Sequence, residues 1–318
     1  MSPVEGTEAG DPNRSPLYAG LSRARLELEH FELGHGVVLS RCFAHIFAPF
    51  MMAFAPPPRP GAPHPAPWKS ASGGFAFDIQ TQVYVPIESF PDPWFDRLTT
   101  VWWIVALLRL RVSPANVVPV VSDMAFSEVS TSTREPLFWP IEMQAGPLMV
   151  GGGGPEASIT SADLEWLREH WIAAGMLMGQ NKVFNRTFQS FDSARFSRSP
   201  GDALLVLWGA LEQLFSRKDA ELRFRVSAVI SSYLEPNGAQ RRKAFEHTRS
   251  LYDLRSKVAH GGTLEEADAA FRATRELLRQ CLQRVISTGR VPPIEELEAN
   301  VLDNRLWTER APEPHDPR

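Results

Sequence analysis

The segment Leu251-Tyr252-Asp253-Leu254-Arg255-Ser256-Lys257-Val258-Ala259-His260-Gly261-Gly262 sets an arginine and a histidine five positions apart at the end of a helical pattern. Arginine keeps its charge and offers a planar fork that binds a phosphate through two hydrogen bonds. The same fork stabilises negative charge that builds on the phosphorus oxygens. Histidine is the side chain that trades protons near neutrality. A phosphodiester that carries its own nucleophile, such as RNA with its 2′-hydroxyl, needs little more than these two groups. Ser256 lies four positions before His260, the spacing at which a hydroxyl meets an imidazole on one helix face. Glu212, a lone carboxylate in an apolar helix, is expected to have a charged partner, and Arg255 is the candidate. Lys257 and Tyr252 are the candidate substrate contacts on the same segment.

The bare spacing discriminates nothing. Arginine, four residues and histidine recur at Arg25/His30, Arg59/His64, Arg242/His247, Arg255/His260 and Arg310/His315, in a chain with 8 histidines. Context separates them. Arg59/His64 falls among prolines, Arg310/His315 in a proline-rich tail, and Arg25/His30 in a charged segment. Arg242/His247 shares the helix of Arg255 but sits in its first half. Arg255/His260 follows the stripe Leu251, Leu254, Val258, which predicts a core-facing side. His260 stands at a helix stop, where the partial negative charge of the terminus favours an imidazolium. Five residues turn an ideal helix by about 500°, so the two side chains point roughly 140° apart. They converge only if the last turn unwinds or if two copies of the helix meet across a two-fold axis. The plain alternatives are that His260 caps orphan carbonyls and that Arg255 makes a structural ion pair with Glu212 or Asp253.

These groups need a scaffold, and the second half of the chain reads as one. Gly151 to Gly154 and Pro155 form its clearest break. Beyond it, Thr160 and Asp163 resemble a capped start of a helix running from Leu164 to Phe191. Pro200 opens a helix over Ala203 to Phe215. Glu221 to Leu234 is a third, stopped by Pro236-Asn237-Gly238. Ala239 to Ala259 is a fourth, stopped by Gly261-Gly262. Thr263 to Ser287 is a fifth, with Thr263 and Glu266 spaced as a capping box. Short loops make neighbouring helices antiparallel. The first half has strand signals at Phe31 to Cys42 and Phe75 to Ile87. Val117 to Val121 carries Pro119 and reads at most as an edge strand. Trp94 to Arg111 reads as a helix with Phe95, Leu98, Trp102, Val105 and Leu108 on one face. Pro49 to Pro67 holds eight of the 27 prolines and is expected to be an irregular loop. The expected plan is a flexible tail (1–20), an α+β N-terminal domain of unknown role (21–150), a Gly-rich linker (151–159), an all-α helical bundle (160–290) and a C-terminal extension (291–318).

Composition narrows the setting. The chain has 318 residues, 43% hydrophobic and 22% charged, with a net charge of −4. It is no polycation, so a nucleic-acid contact must come from a local patch. Residues 201–290 carry 15 Lys plus Arg against 11 Asp plus Glu, a local excess of +4. Cys42 and Cys281 give neither a disulfide framework nor a metal-ligand spacing and fit a reducing compartment. The N-terminus lacks the apolar core of a secretory signal. Val101 to Leu108 is too short to span a bilayer. The expected location is the cytoplasm, with no membrane association. The glycine run lacks the Lys-Ser/Thr of a phosphate-binding loop, and no H-E-x-x-H is present.

The helical half resembles the HEPN superfamily, and within it the Apea-like branch. Leu251 to Gly262 resembles the family's Arg-to-His helix. Ala203 to Phe215 resembles its earlier helix with an acidic residue in an apolar run, and Glu221-Leu222-Arg223-Phe224-Arg225-Val226-Ser227 its third segment. The resemblance spans about residues 160–290, roughly 40% of the chain. It implies a homodimer whose two motif helices build one shared site. It implies metal-independent endoribonuclease activity through 2′-OH attack, leaving a 2′,3′-cyclic phosphate and a 5′-hydroxyl. Arg255 and His260 would be catalytic, Ser256 and Glu212 supporting, with no cofactor. Such proteins are commonly toxins or anti-phage defence effectors, so the resemblance also implies an antitoxin or trigger partner of unknown identity. The other expectation is a catalytically inactive HEPN module that binds RNA or drives dimerisation beside an N-terminal sensor.

Overall fold

The computed structural model describes residues 16–87, 95–142, 156–216, 222–261 and 263–302, of residues 48–50 and 72–75 the backbone alone. These divide into two compact units. The first holds the strands β1 (Leu17–Ser22), β2 (Ala24–Leu26), β3 (His30–Gly34), β4 (Val37–Ala53), β5 (Trp68–Val85), β6 (Val117–Ser122), β7 (Phe138–Pro140) and β8 (Ala157–Ile159), and the start of α1 (Arg97–Arg111). The second holds Ala106–Ala115 and the chain from Glu165 onward. An α+β part thus precedes a helical part, as the patterns predict. The boundary is less simple than a linker. The end of α1 belongs to the helical unit, and β8 returns to pair in parallel with β2. The glycine run itself lies outside the described residues.

In the first unit six strands order as β3-β4-β5-β1-β6-β7. β1 lies inside this sheet, paired antiparallel with β5 and β6. The expected tail therefore ends before Leu17. A six-residue strand flanked by a short polar tail has no period long enough to reveal itself; its burial comes from both neighbours. The proline-rich stretch is also shorter than expected. β4 runs on to Ala53 and β5 begins at Trp68, making a long antiparallel hairpin whose register shifts between Ala48 and Phe50, at Pro49. A proline is tolerated at such a bulge because no ladder bond is required there. β6 is likewise an inner strand, between β1 and β7, not an edge. Pro119 falls in its irregular stretch and contributes only a carbonyl, which accepts from the Ile141 amide at 2.9 Å. Gly20 of β1 leaves room for the core cluster of Ile79, Val120 and Phe126; an added Cβ would stand 2.8 Å from the Phe126 ring. The Thr81 hydroxyl ties β2 down, accepting from the Leu26 amide at 3.1 Å and donating to the Ala24 carbonyl at 2.9 Å.

α1 starts at Arg97; Trp94 lies outside the described residues. The helix is buried nearly all round, from Trp103 to Leu110, where a one-sided stripe was expected. A helix that is apolar on every side is an interior helix.

The helical unit contains α2 (Ser161–Gln180), α3 (Lys182–Ser193), α4 (Pro200–Phe215), α5 (Leu222–Leu234), α6 (Ala239–Ala259), α7 (Leu264–Thr288) and α8 (Ile294–Val301). The expected single helix over 164–191 is two, because the Asn181 side chain turns back to accept from the amides of Val183 and Phe184, both at 3.0 Å. Asn181→Ala is expected to cost about 1 kcal/mol, read as a lower urea midpoint at unchanged slope. Thr160 and Asp163 bond reciprocally at the start of α2, and Thr263 with Glu266 completes the capping box of α7. The C-terminal extension is partly structural: α8 packs on α5, with Leu297 and Asn300 fully buried. α4 is the central helix, against α3, α6 and α7. α6 is an outer helix: of its 21 residues only Arg241, Thr248 and Leu251 are buried. Among the described residues no helix is long and apolar enough to cross a membrane.

Both thiols are held protonated by burial, Cys42 at about 12 and Cys281 higher still. Neither is expected to react with thiol reagents until the protein unfolds, whereupon both do. A folded-state value raised above 9.0 gives stability that is complete below pH 9.0 and is lost as pH climbs towards 12. Chemical denaturation across that range is expected to show a falling midpoint, and burial of the Tyr233 hydroxyl acts in the same direction.

Candidate active site on the sixth helix

α6 holds its helical form to Ala259. His260 is the C-cap, with φ −105° and ψ 16°, and its amide donates to the Lys257 carbonyl at 3.2 Å. That bond spans three residues and tightens the last turn instead of unwinding it. Gly261 then takes a φ of +106°, which ends the helix. Within one chain, then, nothing bends His260 round to face Arg255. The imidazole is exposed and makes no hydrogen bond among the described residues, and Ser256, also exposed, does not reach it. A face shared at i and i+4 sets proximity but not contact when both side chains are fully hydrated.

Arg255 has a different setting. Its side chain is 29% exposed, and its Nη2 stands 3.7 Å from Oε1 of Glu212, itself 24% exposed. That is an ion pair too long to be a hydrogen bond. Arg255 Nε and Glu212 Oε1 are both shut off from solvent without a hydrogen-bond partner. Below the guanidinium lies Tyr252, its ring centroid 5.4 Å away. Tyr252 in turn meets Trp208 edge-on, centroids 5.0 Å apart with planes at 78°. Burial, then the Glu212 charge and the approach of that carboxylate hold the Tyr252 hydroxyl above its ordinary range, while Arg255 opposes them. Asp253, the alternative partner for Arg255, pairs with Arg223 of α5. Lys257 is engaged by Glu266. The hydrogen bond from Lys257, followed by that from the Thr263 amide, holds the Glu266 carboxyl below its ordinary range.

The expected core stripe is only partly buried. Leu251 is 3% exposed, whereas Leu254 and Val258 are half-covered. Val258 lies against the first turn of α4, within 3.4 Å of where a Cβ on Gly201 would stand. The structure therefore gathers Glu212, Tyr252 and Arg255 into one half-buried group and leaves Ser256, Lys257 and His260 on the open surface of the same helix. Trp208 is the member the sequence reading missed. It precedes Glu212 by four positions and so shares its face of α4, a spacing that could have revealed it. No family model, no curated protein and no solved structure matches the chain.

Proposed function

We propose that the protein is a metal-independent endoribonuclease of HEPN type, acting as a homodimer on RNA in the cytoplasm. The observation that carries this reading is the incomplete bonding of Arg255. A guanidinium lying over Tyr252 and steered by Glu212, yet without a hydrogen bond to that carboxylate, is pre-oriented; its Nε is shut off from solvent, and its part-exposed Nη donors are the ones that would meet a phosphate. An unencumbered imidazole lies one and a half turns further along the helix.

In this reading two copies of α6 meet through their largely unburied outer faces, so that each Arg255 approaches the other copy's His260. One imidazole takes the proton of the attacking 2′-hydroxyl. The phosphorus–2′-oxygen bond forms, the phosphorus–5′-oxygen bond breaks, and the other imidazole protonates the departing 5′-oxygen. Arg255 binds the non-bridging oxygens and stabilises the charge they gain. Lys257 and Tyr252 would contact neighbouring parts of the strand, Lys257 by exchanging Glu266 for phosphate. A toxin or defence effector controlled by a further partner suits such an activity. The test is purified full-length protein with total RNA in excess EDTA, followed by end analysis of the fragments. Cyclic 2′,3′-phosphates with 5′-hydroxyls are expected. Intact RNA at every protein concentration, with binding retained, would favour the inactive RNA-binding module.

A further inference from the structure

A second basic site lies in the helical unit, away from α6. A pocket of about 430 Å³ opens between the end of α1 and one face of α7. Arg109, Arg111, Arg272, Arg275 and Arg279 line it, with Glu276 the single acid in its wall. Three of these cations are matched. Arg109 bonds Asp192 at 3.0 Å, Arg272 bonds Asp268 at 2.8 Å, and Arg279 grips both oxygens of Glu276 at 2.6 Å. The Arg111 guanidinium lies 5.6 Å from the Trp166 ring centroid.

Arg275 is the exception. It is 4% exposed, and its contacts are the Arg109 carbonyl at a marginal 3.5 Å and the Phe191 ring at 4.2 Å. Its Nε is buried with no acceptor. Arg195 is buried nearby in the chain fold as well, donating to the Pro114 carbonyl at 2.6 Å. Asp192 is the one buried carboxylate among the described residues, and it already serves Arg109. An interior guanidinium without a full set of acceptors is destabilising unless an anion joins it. Desolvation accordingly pushes Arg275 down to about 10, with Asp192 opposing.

We propose that this pocket binds a phosphorylated small molecule by its phosphoryl end, with Arg275 as the central contact and Arg279 and Arg272 at the rim. Planar forks around a small cavity suit the several oxygens of a phosphate better than a single carboxylate. The volume lies within the range of small-ligand sites, enough for a short polyphosphate or a nucleotide.

The site is independent of the nuclease reading, and its test uses no RNA. Full-length protein is titrated calorimetrically with inorganic pyrophosphate, with ATP and with adenosine, at constant ionic strength. Saturable binding of pyrophosphate or ATP but not adenosine is expected, with pyrophosphate alone sufficing if the ligand is a bare polyphosphate. Arg275→Met and Arg279→Gln are each expected to weaken it about tenfold or more. Should Arg275→Met fail to fold, Arg279→Gln at the rim decides. No saturable binding of either phosphate compound, or equal affinity in wild type and Arg279→Gln, would overturn the proposal.

Discussion

His260→Ala is expected to lower RNA cleavage by about 10²–10⁴-fold, the range lost with a general acid–base group. The imidazole is exposed and makes no hydrogen bond among the described residues, so the urea midpoint should move by no more than about 0.5 kcal/mol equivalent. Arg255→Ala is expected to be as inactive. Arg255→Lys should recover little, because an ammonium cannot reproduce the two-pronged contact or the stacking on Tyr252. Glu212→Gln should act through Arg255, reducing kcat while leaving the fold intact. Mixing the two inactive variants gives the sharpest readout. If Arg255 of one copy works with His260 of the other, heterodimers keep one complete arginine–imidazole pair but only one of the two imidazoles, and regain a fraction of the wild-type rate, above that of either variant alone. If each chain used its own pair, the mixture would stay silent, and wild-type cleavage by His260→Ala alone would end the assignment.

Asp192→Ala is expected to be strongly destabilising, by about 3–5 kcal/mol. Its side chain is 6% exposed and that of Arg109 1%, and the carboxylate bonds Arg109 Nη1 through both oxygens, at 3.0 and 3.3 Å. Removing the carboxylate takes from the buried Arg109 the acceptor of its Nη1 and from Arg275 the largest charge that opposes its desolvation. Asp192→Asn keeps the shape and should recover only part of the loss. By contrast Lys257→Ala, at an exposed ion pair, should cost less than about 1 kcal/mol. Equilibrium urea unfolding of the three variants checks this ordering. A cost below about 1 kcal/mol for Asp192→Ala would mean that water or an anion replaces the carboxylate, the latter tying the result to the basic pocket.

Much of the helical unit was legible because helix ends are written locally. Thr263 with Glu266, Thr160 with Asp163, Pro200 and Gly261 act over three or four residues, and the structure places α4, α6 and α7 within a few residues of the expected spans. Asn181 escaped notice for the same reason in reverse: a break of one residue leaves the apolar period of α2 and α3 almost continuous. The first unit was harder. β1 pairs with β5 sixty or more positions away, and the hairpin of β4 and β5 crosses a stretch whose prolines suggest irregular chain; neither pairing has a local signature.

The amino-acid sequence by itself determined where α4, α5, α6 and α7 begin and end to within a few residues, that Arg255 lies on α6 with His260 at its stop, and that Glu212 needs a partner, because capping, glycine stops and an apolar run act on neighbouring residues. Tertiary structure alone decided that Glu212 meets Arg255 over Tyr252, that Asp253 and Lys257 are engaged elsewhere, and that Arg275 is buried beside an already occupied Asp192. Those outcomes depend on which helices pack together. Burial and the loss of hydration then set how strongly each charge must find its opposite.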